Sequence, residues 1–152
     1  MEKTLVIIKP GAVRRGLVGN IIKRFEDKGL KIVAMKMKQL DDKILEEHYA
    51  HHKDKPFFPR LVKAMKASPV ILMILEGKDA IEVVRNMAGP TNGRTASSGT
   101  IRGDFSMSVQ NNIIHASDSI EAAEKEIKRF FSNNEIYDYR RLEDLIYAED
   151  EI

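Results

Sequence analysis

The chain has 152 residues, with 43% hydrophobic and 32% charged side chains and a net charge of +2 at pH 7. This composition is typical of a globular domain and argues against a disordered or membrane protein, and the small positive charge argues against a nucleic acid as the main ligand. The chain has no cysteine, which excludes a disulfide scaffold, a zinc–thiolate site and a thiol nucleophile. Because the start of the chain has no signal-peptide pattern, we expect a single domain over residues 1–152 that works in the cytoplasm.

The first part of the chain has the pattern of a strand, a helix and a second strand. Residues 4–8 are apolar and mostly β-branched, which indicates a buried strand. Apolar residues at i, i+3, i+4 and i+7 then form the stripe of a helix: Val18, Ile21, Ile22 and Phe25. Residues 31–39 alternate from Val33 on, with Met35 and Met37 opposite two lysines, so we expect a strand with its lysine face in solvent.

The middle of the chain predicts two helices, a strand and another helix. The helices lie at about residues 42–52 and 57–67, on either side of Pro56. Residues 70–75 are all apolar and predict a second buried strand. The next helix has the apolar stripe Ala80, Val83, Val84 and Met87.

The last part of the chain predicts a strand over residues 109–115 and then a final helix. Asp118, with Glu121 three residues later, has the pattern of an N-cap and capping box. The buried stripe of this helix is predicted to be Ile120, Ala123, Ile127 and Phe130.

The predicted order is therefore β-α-β-(αα)-β-α-β-α. Two of its strands are apolar on both faces and need cover on both sides or a central place in a sheet. A ferredoxin-like α/β sandwich, with a four-stranded antiparallel sheet covered by helices, fits this order.

A loop over residues 88–100 follows the fourth predicted helix and is rich in Gly, Ser, Thr and Asn. Arginine and hydroxyl side chains in and around it are suited to binding phosphate oxygens: Arg85, Thr91, Arg94, Thr95, Thr100 and Arg102. A mobile polar loop without a ligand remains the alternative.

His115 stands at the end of the last predicted strand, just before a helix N-terminus. Helix N-termini favour anions, and an imidazole can be unprotonated at neutral pH and act as a nucleophile or base. The alternative is an ordinary surface histidine. His48 and His52 have the i, i+4 spacing of a metal pair, but without a third ligand pattern we expect exposed helix residues.

Several segments together resemble the nucleoside diphosphate kinases. Residues 112–118 (Asn-Ile-Ile-His-Ala-Ser-Asp) are similar to the active-site stretch of that family, and residues 100–105 (Thr-Ile-Arg-Gly-Asp-Phe) to the segment just upstream. Segments 8–10, 15–19, 48–49 and 56–58 also match in order and spacing. The resemblance extends from about residue 3 to residue 147.

The resemblance implies a ping-pong reaction, in which a nucleoside triphosphate donates its terminal phosphoryl group to His115 and a nucleoside diphosphate then accepts it. The implied catalytic residues are His115, Lys9, Tyr49, Asn112 and Glu126. The implied nucleotide-binding residues are Lys9, Phe57, Leu61, Arg85, Thr91, Arg102, Val109 and Asn112. Glu126 would orient the imidazole, and Phe57 would stack on the base.

The implied cofactor is Mg²⁺, held by the phosphates of the nucleotide and by water rather than by a protein site. ATP, GTP and other nucleotides are the implied partners, because stacking on Phe57 would accept any base. The resemblance also implies a homo-oligomer, with the length of the C-terminal part favouring a hexamer over a tetramer.

Two departures from the family pattern carry expectations. Ala116 replaces the usual glycine, and a positive φ there would cost alanine about 1 kcal/mol. Gly93 and Ser98 stand where prolines are usual, so we expect a looser loop.

Two other classes of protein are alternatives. A ferredoxin-like nucleic-acid module would carry aromatic residues on its central strands, and residues 4–8 and 70–75 contain none. A non-catalytic scaffold of the same family would be expected to lack some of the implied site residues, and this chain has them all.

Overall fold

The computed structural model describes residues 1–152, and its strands form one antiparallel sheet. The strands are β1 (Glu2–Ile8), β2 (Lys31–Lys38), β3 (Val70–Gly77) and β4 (Ile114–Ala116). Their order in the sheet is β2-β3-β1-β4, and every neighbouring pair is antiparallel. The predicted ferredoxin-like sandwich is confirmed.

Seven α-helices surround this sheet. They are α1 (Pro10–Arg14), α2 (Val18–Lys28), α3 (Asp42–His48), α4 (Phe58–Met65), α5 (Ala80–Ala88), α6 (Ile101–Phe105) and α7 (Ile120–Phe130). Short 3₁₀ turns lie at Ala50–His52, Asn133–Glu135, Glu143–Leu145 and Glu149–Glu151. None of the helices combines the length and the apolarity that crossing a bilayer would require.

The core has two layers because β1 and β3 are buried on both faces. Val6 and Ile8 pack with Phe25 of α2 on one face. Leu5 and Ile7 alternate with them and pack on the opposite face, in a cluster that includes residues of α3, α4 and α7. The apolar run at residues 4–8 is thus explained by the two layers.

The prediction for β2 is wrong about which side chains of the strand face solvent. Met35 and Met37 are 54% and 61% exposed, although they form the apolar side of the alternation. The register shifts between Ile32 and Ala34, and Val33 and Ala34 are both buried. This bulge reverses the alternation and turns the later methionines outward.

The end of the last strand and the start of the last helix also differ from prediction. The strand spans only Ile114–Ala116, because residues 106–113 follow an irregular path, held by side-chain hydrogen bonds of Ser106 and Ser108 to Asn111, instead of pairing with β1. Ser119, not Asp118, caps α7, since the Ser119 hydroxyl accepts a hydrogen bond from the Ala122 amide. Ile120 is 60% exposed and lies outside the buried stripe.

Helix boundaries differ elsewhere. The helix predicted over residues 42–52 ends at His48 and continues as a 3₁₀ turn. Helices α1 and α6 have five residues each, too few to show a periodic stripe.

Candidate active site

His115 reaches the site through a strained turn and a short strand. Ile113, two residues earlier, has φ 76°, a conformation that costs a β-branched residue on the order of 1–3 kcal/mol. Neighbouring backbone bonds fix this turn: the Lys9 amide donates to the Ile113 carbonyl at 2.9 Å, and the Ile114 amide to the Asn112 carbonyl at 2.8 Å. His115 then pairs with Ile7 of β1, so its side chain points to the layer of α3 and α7.

Glu126 of α7 holds the imidazole of His115. Its Oε1 lies 3.0 Å from His115 Nε2 and accepts a second hydrogen bond, of 2.6 Å, from the Ser117 hydroxyl. Burial raises the pKa of Glu126, but the hydrogen bonds and charge of His115 and the bond from Ser117 outweigh it, and the net pKa is lowered. A carboxylate can only accept, so Nε2 donates and the lone pair of His115 lies on Nδ1.

Lys9 and Asn112 connect the end of β1 to the loop after α5. Lys9 Nζ donates to Asn112 Oδ1 at 2.7 Å, and the Asn112 amide donates to the Thr91 carbonyl at 3.2 Å. Burial, together with the charge of Arg102, lowers the pKa of Lys9 to about 8. Lys9 is therefore a cation at neutral pH but not far above it.

Arg102 has a structural role that the sequence did not predict. Its guanidinium donates to the carbonyls of Asn112 (3.1 Å), Gly89 (2.7 Å) and Ile114 (2.7 Å). These three hydrogen bonds stabilise the turn before His115. Burial and the nearby Arg85 lower its pKa to about 10. Of its five N–H groups, two remain for a ligand.

Two adjoining clefts open beside His115. The polar cleft, of about 650 Å³, is lined mostly by charged and polar residues, which include Arg85, Thr91, Asn112 and Glu126. The apolar cleft, of about 480 Å³, is lined by Lys9, Phe57, Leu61 and Val109 among others. Residues common to both clefts are Tyr49, His52, Thr91, Arg102 and His115.

Every site residue that the family resemblance implied lines one of these clefts, whereas Arg94, Thr95 and Thr100 of the loop line neither. Tyr49 is buried at their junction, and its pKa is raised by burial and then by the charge of Glu126. Phe57 and Val109 are 37% and 50% exposed, so they offer open apolar surface.

Three residues lie close to His115 although the sequence did not predict them as site residues: Ser117, His48 and Arg129. His48 was expected to be exposed, but it is buried with its ring 4.8 Å from that of His115. It is the last residue of α3. The Arg129 guanidinium lies 2.9 Å from His48 Nδ1. The sequence did contain one indication of this contact: Arg129 follows Glu126 by three residues, which places both side chains on the same face of the helix.

His48, His115 and Glu126 are residue types that could hold a metal, and their ligand atoms lie within 4.8 Å of one another. However, Arg129 faces His48, and Glu126 already accepts hydrogen bonds from His115 and Ser117. The group is thus a hydrogen-bonded cluster that orients the His115 ring.

Comparison with known proteins gives the family. The model of the nucleoside diphosphate kinase family matches residues 2–136. A nucleoside diphosphate kinase of Parabacteroides distasonis is 62% identical over 99% of both chains, and one of Pyrococcus abyssi is 56% identical over 96% of this chain and 94% of that one. The solved structure of a halophilic nucleoside diphosphate kinase from Halobacterium salinarum in complex with CDP superposes with a TM-score of 0.94 at 43% identity, over 97% of this chain and 99% of that one.

The fold, the clefts and these matches define an enzyme of the phosphotransferase class. The chain belongs to the nucleoside diphosphate kinase family.

Proposed function

We propose that this enzyme transfers the terminal phosphoryl group of a nucleoside triphosphate to a nucleoside diphosphate through phospho-His115. The observation that carries the proposal is the hydrogen bond from His115 Nε2 to Glu126, at the junction of the two clefts. Nδ1 attacks the γ-phosphorus, the bond to the β-phosphate oxygen breaks, and the diphosphate leaves with that electron pair. A second diphosphate reverses these steps.

The polar residues around His115 would bind the phosphates. Arg85, the hydroxyl of Thr91 and the two free N–H groups of Arg102 provide donors for the phosphate oxygens. Lys9 and Asn112 would contact the transferred group and the ribose hydroxyls. This role is supported by the position of these residues along the two clefts, beside His115.

The apolar cleft would hold the base. Phe57 would stack on it, with Leu61 and Val109 on either side, and Tyr49 would close the inner end. Stacking uses the π-face that every base has, so we propose broad base specificity, with ATP and GTP among the substrates. The relative from Halobacterium salinarum was solved with CDP, which supports nucleotide binding in this fold.

We propose that Mg²⁺ enters with the nucleotide, held by phosphate oxygens and water. The residues fit this arrangement. Glu126 already accepts hydrogen bonds from His115 and Ser117, and no second carboxylate contacts His115 to complete a metal site made by the protein. The ion would supply charge neutralisation on the phosphates.

We propose that the enzyme is a homo-oligomer, with a hexamer favoured over a tetramer. The support is the edge strand β2, where Met35 and Met37 present apolar side chains outward. Such an edge is a surface that proteins ordinarily cover. Sedimentation of the wild type and of Met35→Glu would test this, because a charge on a buried interface should dissociate the assembly.

The site draws on residues from Lys9 to Glu126, so we propose that residues 1–152 act as one domain. We propose that it works in the cytoplasm, on the nucleotides found there. Cell fractionation would test the location.

The decisive experiment is phosphoenzyme labelling. Incubation with γ-labelled ATP should leave label on the wild type as an acid-labile, base-stable phosphoamide, and none on His115→Ala. His51→Ala, which changes another histidine that lines the polar cleft, should keep the label. An unlabelled wild type would instead support a non-catalytic scaffold.

A further inference from the structure

Arg129 of α7 lies behind the nucleophile rather than in contact with it. Its NH1 is 2.9 Å from His48 Nδ1, and its Nε is 3.5 Å from a carboxylate oxygen of Glu47. Its side chain is only 15% exposed. Arg129 follows Glu126 by three residues, so one face of α7 carries both groups.

The hydrogen bond from Arg129 determines the tautomer of His48. A guanidinium has no acceptor atom, so it must donate, and His48 Nδ1 must accept. The proton of His48 is therefore on Nε2, and the ring carries no charge. In agreement, burial, then the neighbouring His115 and, less strongly, Arg129 lower the pKa of His48 to about 3, against the raising effect of Glu126.

His48 in turn limits the orientation of His115. The two rings meet edge to face, with centroids 4.8 Å apart and planes at 84°. Tyr49 and Phe130 pack around His48 at 4.6 Å and 5.2 Å, so the ring has little room to shift. The hydrogen bond that His115 donates to Glu126 fixes only Nε2 and leaves the ring free to rotate about that contact. The ring of His48 blocks such rotation on one side.

We propose that Arg129 and His48 are positioning residues, which hold the His115 ring so that Nδ1 faces the incoming phosphorus. This inference rests on the proposed function of His115. In-line attack depends on the direction of the Nδ1 lone pair, and a small misplacement of a reacting group has a large effect on rate. α7 would then orient the nucleophile twice, directly through Glu126 and indirectly through Arg129.

The experiment compares phosphorylation of His115 in wild type, Arg129→Leu, Arg129→Lys and His48→Phe. We expect Arg129→Leu to lower the rate constant of phosphorylation about tenfold, with the KM for ATP within about twofold of the wild type. Arg129→Lys, which can still donate to Nδ1, should recover most of the rate. His48→Phe should resemble Arg129→Leu, and the double variant should be no slower than either single variant, because both remove the same constraint.

A control variant and a spectroscopic measurement distinguish a positioning role of Arg129 from a general effect of removing a cation from α7. Lys128→Leu removes an exposed cation from the neighbouring position of α7 and should leave the rate unchanged. In ¹⁵N spectra, the wild-type His48 should show the single tautomer protonated on Nε2, and Arg129→Leu should show a mixture of tautomers.

The positioning role would be overturned by a wild-type rate in Arg129→Leu, or by a loss that Lys cannot restore and that follows the melting temperature. A wild type that is never phosphorylated would instead refute the proposed function, so the two failures are distinguishable.

Discussion

The polar and apolar clefts meet at His115 but are built in different ways. On the polar side, hydrogen bonds hold the groups nearest the nucleophile: Glu126 accepts from His115 and Ser117, and Arg102 donates to three carbonyls. On the apolar side, Phe57 and Val109 are open to solvent and contact a ligand only by their surfaces.

This difference matches what the two parts of a nucleotide require. Transfer of a phosphoryl group depends on fixed geometry and fixed charge, and the phosphates are the same in every nucleotide. Bases differ in their hydrogen-bonding edges but share a flat apolar face. A rigid polar cleft beside a smooth apolar one would therefore combine a demanding reaction with tolerance of the base.

The largest effect should come from breaking the rigid side at its centre. Glu126→Ala removes the acceptor for His115 Nε2, and we expect the rate constant of phosphorylation to fall about 100-fold because the ring loses its orientation. Rapid-quench labelling would measure this. Glu121→Ala, which removes another carboxylate lining the polar cleft, should have little effect, and equal losses in both variants would contradict the assigned role of Glu126.

A smaller effect should appear as pH rises. Lys9, with its pKa near 8, is charged below that pH and loses its charge above it. Because the charged form would bind phosphate, kcat/KM should fall by about tenfold between pH 7 and pH 9, in line with the charged fraction of Lys9 in the free enzyme. Lys9→Arg keeps its charge at both pH values. If its kcat/KM fell as steeply as that of the wild type, Lys9 would not be the group responsible.

The smallest effect should come from the apolar side. Phe57→Ala removes the stacking surface, worth about 1 kcal/mol, and should raise KM about fivefold with little change in kcat. ATP, GTP and CTP should be affected alike. Ribose triphosphate, which has no base to stack, serves as the control and should show no change. A loss confined to one base would indicate recognition by hydrogen bonds instead.

Periodicity in the sequence was sufficient to predict the longer helices and strands and the sandwich that they form. It failed where tertiary contacts decide the outcome. The bulge at Val33 depends on pairing with β3, and the loss of strand over residues 109–113 depends on the turn that Arg102 braces. Five-residue helices such as α6 are too short to leave a periodic signal.

The candidate site follows the same division. The family motifs predicted which residues line the clefts, because those residues follow one another in recognisable segments. Arg129 and His48 were missed because their contact joins α7 to the end of α3, a distance that no local pattern expresses. The bond of Ser117 to Glu126 likewise exists only once β4 and α7 are packed together.

The structure also shows how the chain accommodates Ala116 and Gly93, two of its departures from the family pattern. Ala116 lies in β4 and is not among the residues with positive φ, so the expected cost of alanine does not arise. Gly93 approaches Ser106 so closely that an added Cβ would clash with the Ser106 side chain and carbonyl. Glycine thus permits a close contact between the loop and Ser106, and the expectation of a looser loop stays a prediction.

The most direct test of the account is the identity of the nitrogen that carries the phosphoryl group. The two phosphohistidine isomers can be separated after alkaline hydrolysis of the labelled enzyme. Because Nε2 donates to Glu126, we predict phosphate on Nδ1 of His115 alone. Phosphate on Nε2 would mean that the hydrogen bond to Glu126 is absent in the working enzyme, and the account of the site would be wrong.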